Sequence, residues 1–312
     1  MSSSDRVDLS VQVGALRLRN PVITASGTFG YGVEFAHLVD LSALGGIVTK
    51  GISREPIEGA PPPRLCETAS GMLNAVGLQN VGVENFLRDK LPLLLKYNTQ
   101  VIVNVFGYCL DDYLAVIRRL EEAEGIAGYE LNISCPNVKN GGMQFGISPA
   151  SVEEVVKAAR TEARRRPLWV KLLPLVTDIR DIALAAESAG ADALTVANTY
   201  PSMAVDFRTG RSRIGNLTGG LSGPAIKPIT LRLVFEASQV VKIPILGLGG
   251  IETVEDVLEY VAVGASAVQV GTASFSDPRV SEQIVGGLER ALVDAKALSI
   301  SDIRKRFPGE NS

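Results

Sequence analysis

Cysteine and histidine are almost missing from this chain. Its 312 residues include three cysteines, Cys66, Cys109 and Cys135, and one histidine, His37. Three widely spaced thiols without a C-x-x-C pair argue against a disulfide framework, a zinc site or an iron–sulfur cluster housed here, and no metal is expected. A single histidine without a nucleophile motif beside it argues against a Ser-His-Asp or Cys-His mechanism. No apolar run reaches eighteen residues, so no membrane-spanning helix is expected. Met1–Asp8 is polar and lacks the apolar core of a signal peptide. An excess of positive charge is also absent: 31 basic residues face 34 acidic ones, for a net charge of −3. A polyanion would find no footprint, which disfavours a nucleic-acid partner. A soluble, cytoplasmic protein is expected, and His37, Cys66 and Cys109 read as residues without chemical consequence, the two thiols as small buried hydrophobes.

What is present is a large apolar content, 46%, arranged as short runs at regular intervals. Eight of them read as buried parallel strands: Pro21–Ala25, Gly46–Thr49, Gln100–Phe106, Gly128–Ile133, Leu168–Leu172, Ala193–Ala197, Ile243–Leu248 and Ala265–Val270. Helical patterns lie between them. Asp111 caps one through Glu124, and Ser148-Pro149 opens one through Arg166. Thr177 starts one ending at Gly190, and Thr253 one ending at Gly264. Pro224–Ser238 and Ser281–Leu298 supply two more, and His37 sits in an apparent helix, Val33–Val39. The alternation predicts a (β/α)8 barrel over residues 1–312 as one domain. A doubly wound open sheet fits less well, because neither glycine-rich region carries the full dinucleotide fingerprint.

Three segments fall outside a minimal barrel. Leu9–Leu18 alternates around Gly14 and predicts a hairpin capping the N-terminal end. Ser53–Asn80 and Thr199–Gly223 read as long loops after strands, with a turn at Thr209-Gly210 in the second, and should rise over the catalytic face as lids or binding loops.

The strand tips carry the chemistry. In order they present Ser26-Gly27, Lys50-Gly51, Asn104, Asn132 with Cys135, Lys171, Asn198-Thr199, Gly249-Gly250 and Gly271-Thr272. An asparagine at a strand end is ordinarily a turn former. Two lysines directly after buried runs are different, because a confined ammonium requires an anion or carbonyl partner. Glycine pairs ending the seventh and eighth strands suit close approach of backbone to a phosphate. Asn74–Asn80 is a turn-rich connector or a set of amides able to pair with a heterocycle; spacing leaves both open. Cys135 lies in the run Glu130–Asn137, where Pro136 stops a strand and a thiol beside an amide can act as base or nucleophile.

The motifs ASGTFG (25–30), TKG (49–51), SGMLNAVGLQN (70–80), NISCPN (132–137), VKLLP (170–174), ANT (197–199), TGGLSGPAIKP (218–228), GLGGI (247–251) and AVQVGTA (267–273) together resemble class 1 dihydroorotate dehydrogenases, FMN-binding (β/α)8 barrels of pyrimidine biosynthesis. The likeness covers nearly the whole chain. It implies FMN held by Ser26, Lys50, Gly51, Asn104, Asn132, Lys171, Ala197, Gly223, Gly249, Gly250, Gly271 and Thr272, the last four around its phosphate. It implies dihydroorotate contacts at Lys50, Asn74, Ala75, Val76, Gly77, Leu78, Asn132, Asn198 and Thr199, with Cys135 as catalytic base and Lys50 also catalytic. Asn137–Gly142 and Phe145-Gly146 look like the 1B type, which passes electrons to NAD through a subunit bearing FAD and an iron–sulfur cluster. A homodimer, or a heterotetramer with that subunit, follows from the same likeness. Tyr200-Pro201-Ser202 departs from the family, where a leucine- and glycine-containing stretch is commoner. Rival readings are a dihydropyrimidine dehydrogenase-like flavoprotein acting on uracil-type bases, a dihydrouridine synthase-type barrel disfavoured by the charge, and a non-catalytic barrel that binds a phosphate for structure.

Overall fold

The computed structural model describes residues 7–134, 145–304 and 307. Cys135 and the 137–142 stretch lie outside them. A hairpin of β1 (Val11–Val13) and β2 (Leu16–Leu18) opens the fold, turning at Gly14 with φ of 59°. The barrel strands are β3 (Val22–Thr24), β4 (Gly46–Val48), β7 (Gln100–Val105), β8 (Gly128–Asn132), β9 (Leu168–Lys171), β10 (Ala193–Val196), β15 (Ile245–Gly247) and β16 (Ala267–Val270). Each pairs in parallel with the next, and β16 pairs with β3, closing the barrel. All eight predicted runs are present, trimmed by a residue or two at their ends, as at Pro244, which has no N–H to give.

Alternation along the strands divides their side chains between two environments. Outward residues such as Val101, Val103, Tyr129, Leu131, Val170, Leu194 and Val268 join the apolar layer under the helices. That layer receives α3 (Leu110–Glu121), α4 (Pro149–Glu162), α5 (Ile179–Ser188), α6 (Lys227–Ser238), α7 (Val254–Ala262) and α9 (Val280–Asp294). Inward residues Ile23, Val48, Ile102, Trp169, Ala193, Leu246 and Ala267 form a dry cluster with Val13 and Leu18 of the hairpin. The hairpin therefore seals the N-terminal end as expected.

Helix signals were legible with exceptions. Ser148 caps α4 by accepting from Ser151 N, and Thr253 and Asp256 form a reciprocal capping box on α7. Asp111 does not cap α3. Cys109 occupies the cap position and Asp112 accepts from Tyr108 N at 3.1 Å, so Cys109 is exposed, contrary to its expected burial. Asp178, one residue beyond Thr177, caps α5 by accepting from Arg180 N. Val33–Val39 is not a helix but a 3-10 turn, Val33–Phe35, followed by irregular chain with His37 exposed. The β4–β7 connection instead carries helical segments, Gly82–Asn85 and Leu91–Leu94, joined by a π turn.

The two long excursions are not structureless. Ser53–Asn80 folds into β5 (Leu65–Thr68) and β6 (Gly71–Asn74). Thr199–Gly223 folds into β11 (Tyr200–Ser202), a small β12–β13 hairpin (Val205–Asp206 and Arg211–Ser212) turning near Gly210, and β14 (Gly219–Ser222). They pair with each other as one antiparallel sheet, β11-β14-β6-β5. The divergent Tyr200-Pro201-Ser202 is β11, at the edge of that sheet, where proline is tolerated.

Candidate active site

The C-terminal ends of the barrel strands and the antiparallel sheet enclose a cavity of about 320 Å3, within the range of small-molecule sites. Every described residue predicted for cofactor or substrate lines it: Ser26, Lys50, Gly51, Asn104, Asn132, Lys171, Ala197, Gly223, Gly249, Gly250, Gly271 and Thr272, with Asn74–Leu78, Asn198 and Thr199. Cys135 lies outside the described residues. Sequence reasoning missed Thr28, Pro201, Ser222, Ile226, Leu248 and Phe275 as lining residues. Ser222 had a signal, since it sits in the same glycine-rich segment as Gly223.

The two lysines differ. Lys171 is 3% exposed, and its ammonium donates to Ser26 Oγ at 3.0 Å with Glu130 Oε1 at 3.9 Å. Burial pulls its pKa below the ordinary lysine value, and the Glu130 charge offsets this only in part. Lys50 is half-buried. Its pKa is also lowered, chiefly by burial and further by Arg64, with Glu34 opposing. Among the described residues no carboxylate lies within ion-pair distance of the Lys50 ammonium.

Around Lys171 lies a polar layer in which the sequence had marked the asparagines but not Glu130, Thr195 or Gln269. Glu130 is fully buried. Its Oε1 accepts from Asn104 Nδ2 at 2.7 Å, and its Oε2 from Thr195 Oγ1 at 2.7 Å and from Gln269 Nε2. A carboxylate only accepts, so it dictates which way the neighbouring amides point. Asn104 Oδ1 then faces Asn132 Nδ2 at 3.5 Å, Asn132 Oδ1 accepts from Ser134 Oγ at 2.8 Å, and Ser134 Oγ accepts from Asn198 Nδ2 at 2.6 Å. The amides thus form one directed chain from Glu130 to Asn198. The signal was a glutamate inside an apolar run, which burial forces to find partners.

At the opposite end the wall is backbone. Gly250 has φ of 66°, and a Cβ there would lie 2.8 Å from Gly223 O. Only glycine lets these two loops meet. Thr272 Oγ1 donates to Ser222 Oγ at 2.7 Å, tying the tip of β16 to the antiparallel sheet. The 74–80 segment is held similarly: Asn74 Nδ2 donates to Gly220 O, and Asn80 accepts from Ser53 N and Gly82 N while donating to Leu78 O. Leu78 itself sits at φ of 60°, a conformation that costs of order 1 kcal/mol or more and needs such bracing.

The barrel and its mouth define a small-molecule enzyme of the (β/α)8 class, with paired cations, directed amides and a side-chain-free wall. The sequence profile of dihydroorotate dehydrogenase matches residues 8–292, and the chain belongs to the dihydroorotate dehydrogenase family, oxidoreductases that convert dihydroorotate to orotate. A Pelobacter propionicus protein named dihydroorotate dehydrogenase B (NAD(+)), catalytic subunit, is 52% identical, covering 95% of this chain and 97% of that protein. A Solibacter usitatus protein bearing the provisional name dihydroorotate dehydrogenase A (fumarate) is 56% identical, covering 90% and 94%. The Eimeria tenella dihydroorotate dehydrogenase crystallised with ferulenol superposes with a TM-score of 0.80 at 24% identity, over 99% of this chain and 91% of that one, which bears on the fold. Nothing in these comparisons favours a uracil-type substrate. Among the described residues no helix is long and apolar enough to cross a membrane.

Proposed function

We propose that this chain is one FMN-binding barrel domain that oxidises dihydroorotate in the cytoplasm, with Cys135 as base. The observation that carries this is the convergence of Lys50, Lys171 and four asparagines with a glycine wall in one cavity. The donor set suits a phosphorylated planar cofactor. Gly249, Gly250, Gly271 and Thr272, beside Gly223, would hold its phosphate, the glycines letting backbone approach it closely. Ser26, Gly51, Asn104, Asn132, Lys171 and Ala197 would flank its ring. Bound FMN would accept the hydride leaving C6 of the substrate.

The chain's own groups do the rest. Lys50 faces the cavity as a cation and would fix the substrate carboxylate. Asn74–Leu78, Asn132, Asn198 and Thr199 would orient the pyrimidine ring through amide pairing. Cys135 would take the C5 proton; a thiol of ordinary pKa, about 8.5, needs cationic or hydrogen-bonding neighbours to work at neutral pH. Ser134, its buried predecessor, is anchored between Asn132 and Asn198. For the acceptor we infer NAD through an FAD and iron–sulfur subunit, in a heterotetramer built on a homodimer. The Pelobacter propionicus name supports this, whereas the Solibacter usitatus name points to fumarate; assays with each acceptor, with and without the partner subunit, separate them.

The test is the anaerobic visible spectrum of the purified chain before and after dihydroorotate. Bleaching of an oxidised flavin band is expected. A yellow protein that stays yellow keeps the flavin and overturns the substrate.

A further inference from the structure

We propose that Glu130 is a positioning residue of this site, a sealed carboxylate whose charge keeps Lys171 an ammonium aimed at the ring-binding end of the cavity. The inference rests on the flavin reading above. Glu130 is 0% exposed and its two oxygens accept from Asn104, Thr195 and Gln269. These are three donors, the partners a carboxylate accepts from. A carboxylate ion buried without a cation is costly, and among the described residues the nearest ammonium is Lys171 at 3.9 Å. The separation exceeds hydrogen-bond length. Lys171 spends its short contact on Ser26 instead, so Glu130 acts on it as a charge, not as a clamp.

The groups around Lys171 make this charge decisive. Glu130 stands beside it on β8, Thr195 of β10 and Gln269 of β16 are neutral, and Ser26 follows β3. Lys50, on the chain after β4, faces the same cavity but answers to Arg64 and Glu34. Among the described residues Glu130 is therefore the one charge that favours the ammonium, against burial that disfavours it. Removing an opposite charge at this range lowers a lysine pKa by about one to three units.

The experiment is titration of FMN into apoprotein at a series of pH values, followed by flavin fluorescence, for the wild type, Glu130→Gln, Lys171→Gln and the double variant. Ionisations of free FMN are common to all four and cancel in the comparison. Wild-type affinity is expected to fall on an alkaline limb as Lys171 loses its proton. In Glu130→Gln that limb moves to lower pH by about one to three units, and in both Lys171→Gln backgrounds it is absent. A limb unmoved in Glu130→Gln, with Tm lowered, makes Glu130 merely structural and overturns the proposal. If Glu130→Gln does not fold, Glu130→Asp keeps the charge but withdraws it by one methylene, and a smaller shift in the same direction is required. Failure of the wild type to bind FMN at all refutes the flavin reading instead.

Discussion

The inside of the barrel holds two layers one strand step apart, and they obey opposite rules. Ile102, Trp169, Ala193 and Ala267 belong to the dry layer sealed by Val13 and Leu18. Two residues further along the same strands stand Asn104, Lys171, Thr195 and Gln269, all buried and polar. The lower layer is non-directional: any apolar set of the right volume would fill it. The upper layer is directional, because each of its groups must find a specific partner or remain expensively alone. The same closed sheet thus provides a rigid base and, immediately above it, a preorganised polar surface.

The difference can be broken or sharpened at single positions. The largest effect follows from the proposed base: Cys135→Ala is expected to slow flavin reduction by dihydroorotate about 10²–10⁴-fold in single-turnover kinetics at neutral pH. An unchanged rate removes the thiol from the chemistry. The dry layer answers in stability instead. Trp169→Ala leaves a cavity in the dry layer and should cost about 3–5 kcal/mol in denaturant unfolding, while affinity for FMN in the surviving folded fraction changes far less. A large loss of FMN affinity there would show that the two layers are not separable.

The smallest effect is a pH dependence at Lys50. Its folded pKa is lowered from 10.5 by burial and Arg64. Between that lowered value and 10.5, the unfolded chain holds a proton that the native chain has lost. This group's contribution to stability therefore rises with pH across that window, and its cost is full below it. Binding of an anionic substrate runs the other way, since the ammonium is what pairs with a carboxylate. KM for dihydroorotate should climb with pH in that window, and Lys50→Gln should flatten the climb. A profile identical in the variant would place the carboxylate elsewhere.

Much of this was legible in the residues. Runs such as Gln100–Val105 and Leu168–Lys171 announce buried parallel strands because both faces must be apolar, and their polar tips mark where burial ends. Each described residue inferred at those tips, from Ser26 to Thr272, does line the cavity. Where reading failed, the missing information was long-range. Met72 and Ser222 are neighbours in the antiparallel sheet although 150 residues separate them, and glycine-rich segments carry little local strand signal. Cys109 misled because exposure at a helix start depends on which residue the helix chooses as its cap.

Sequence alone determined the eight strands, the hairpin and the set of groups at the mouth, since these follow from local alternation of apolar and polar side chains. Tertiary structure decided what those groups do to each other. Glu130, Thr195 and Gln269 come from β8, β10 and β16, and only closure of the barrel brings them within hydrogen-bond reach. Charge in a dry interior is governed by what stands within a few ångströms, and that neighbourhood exists only once the chain has folded.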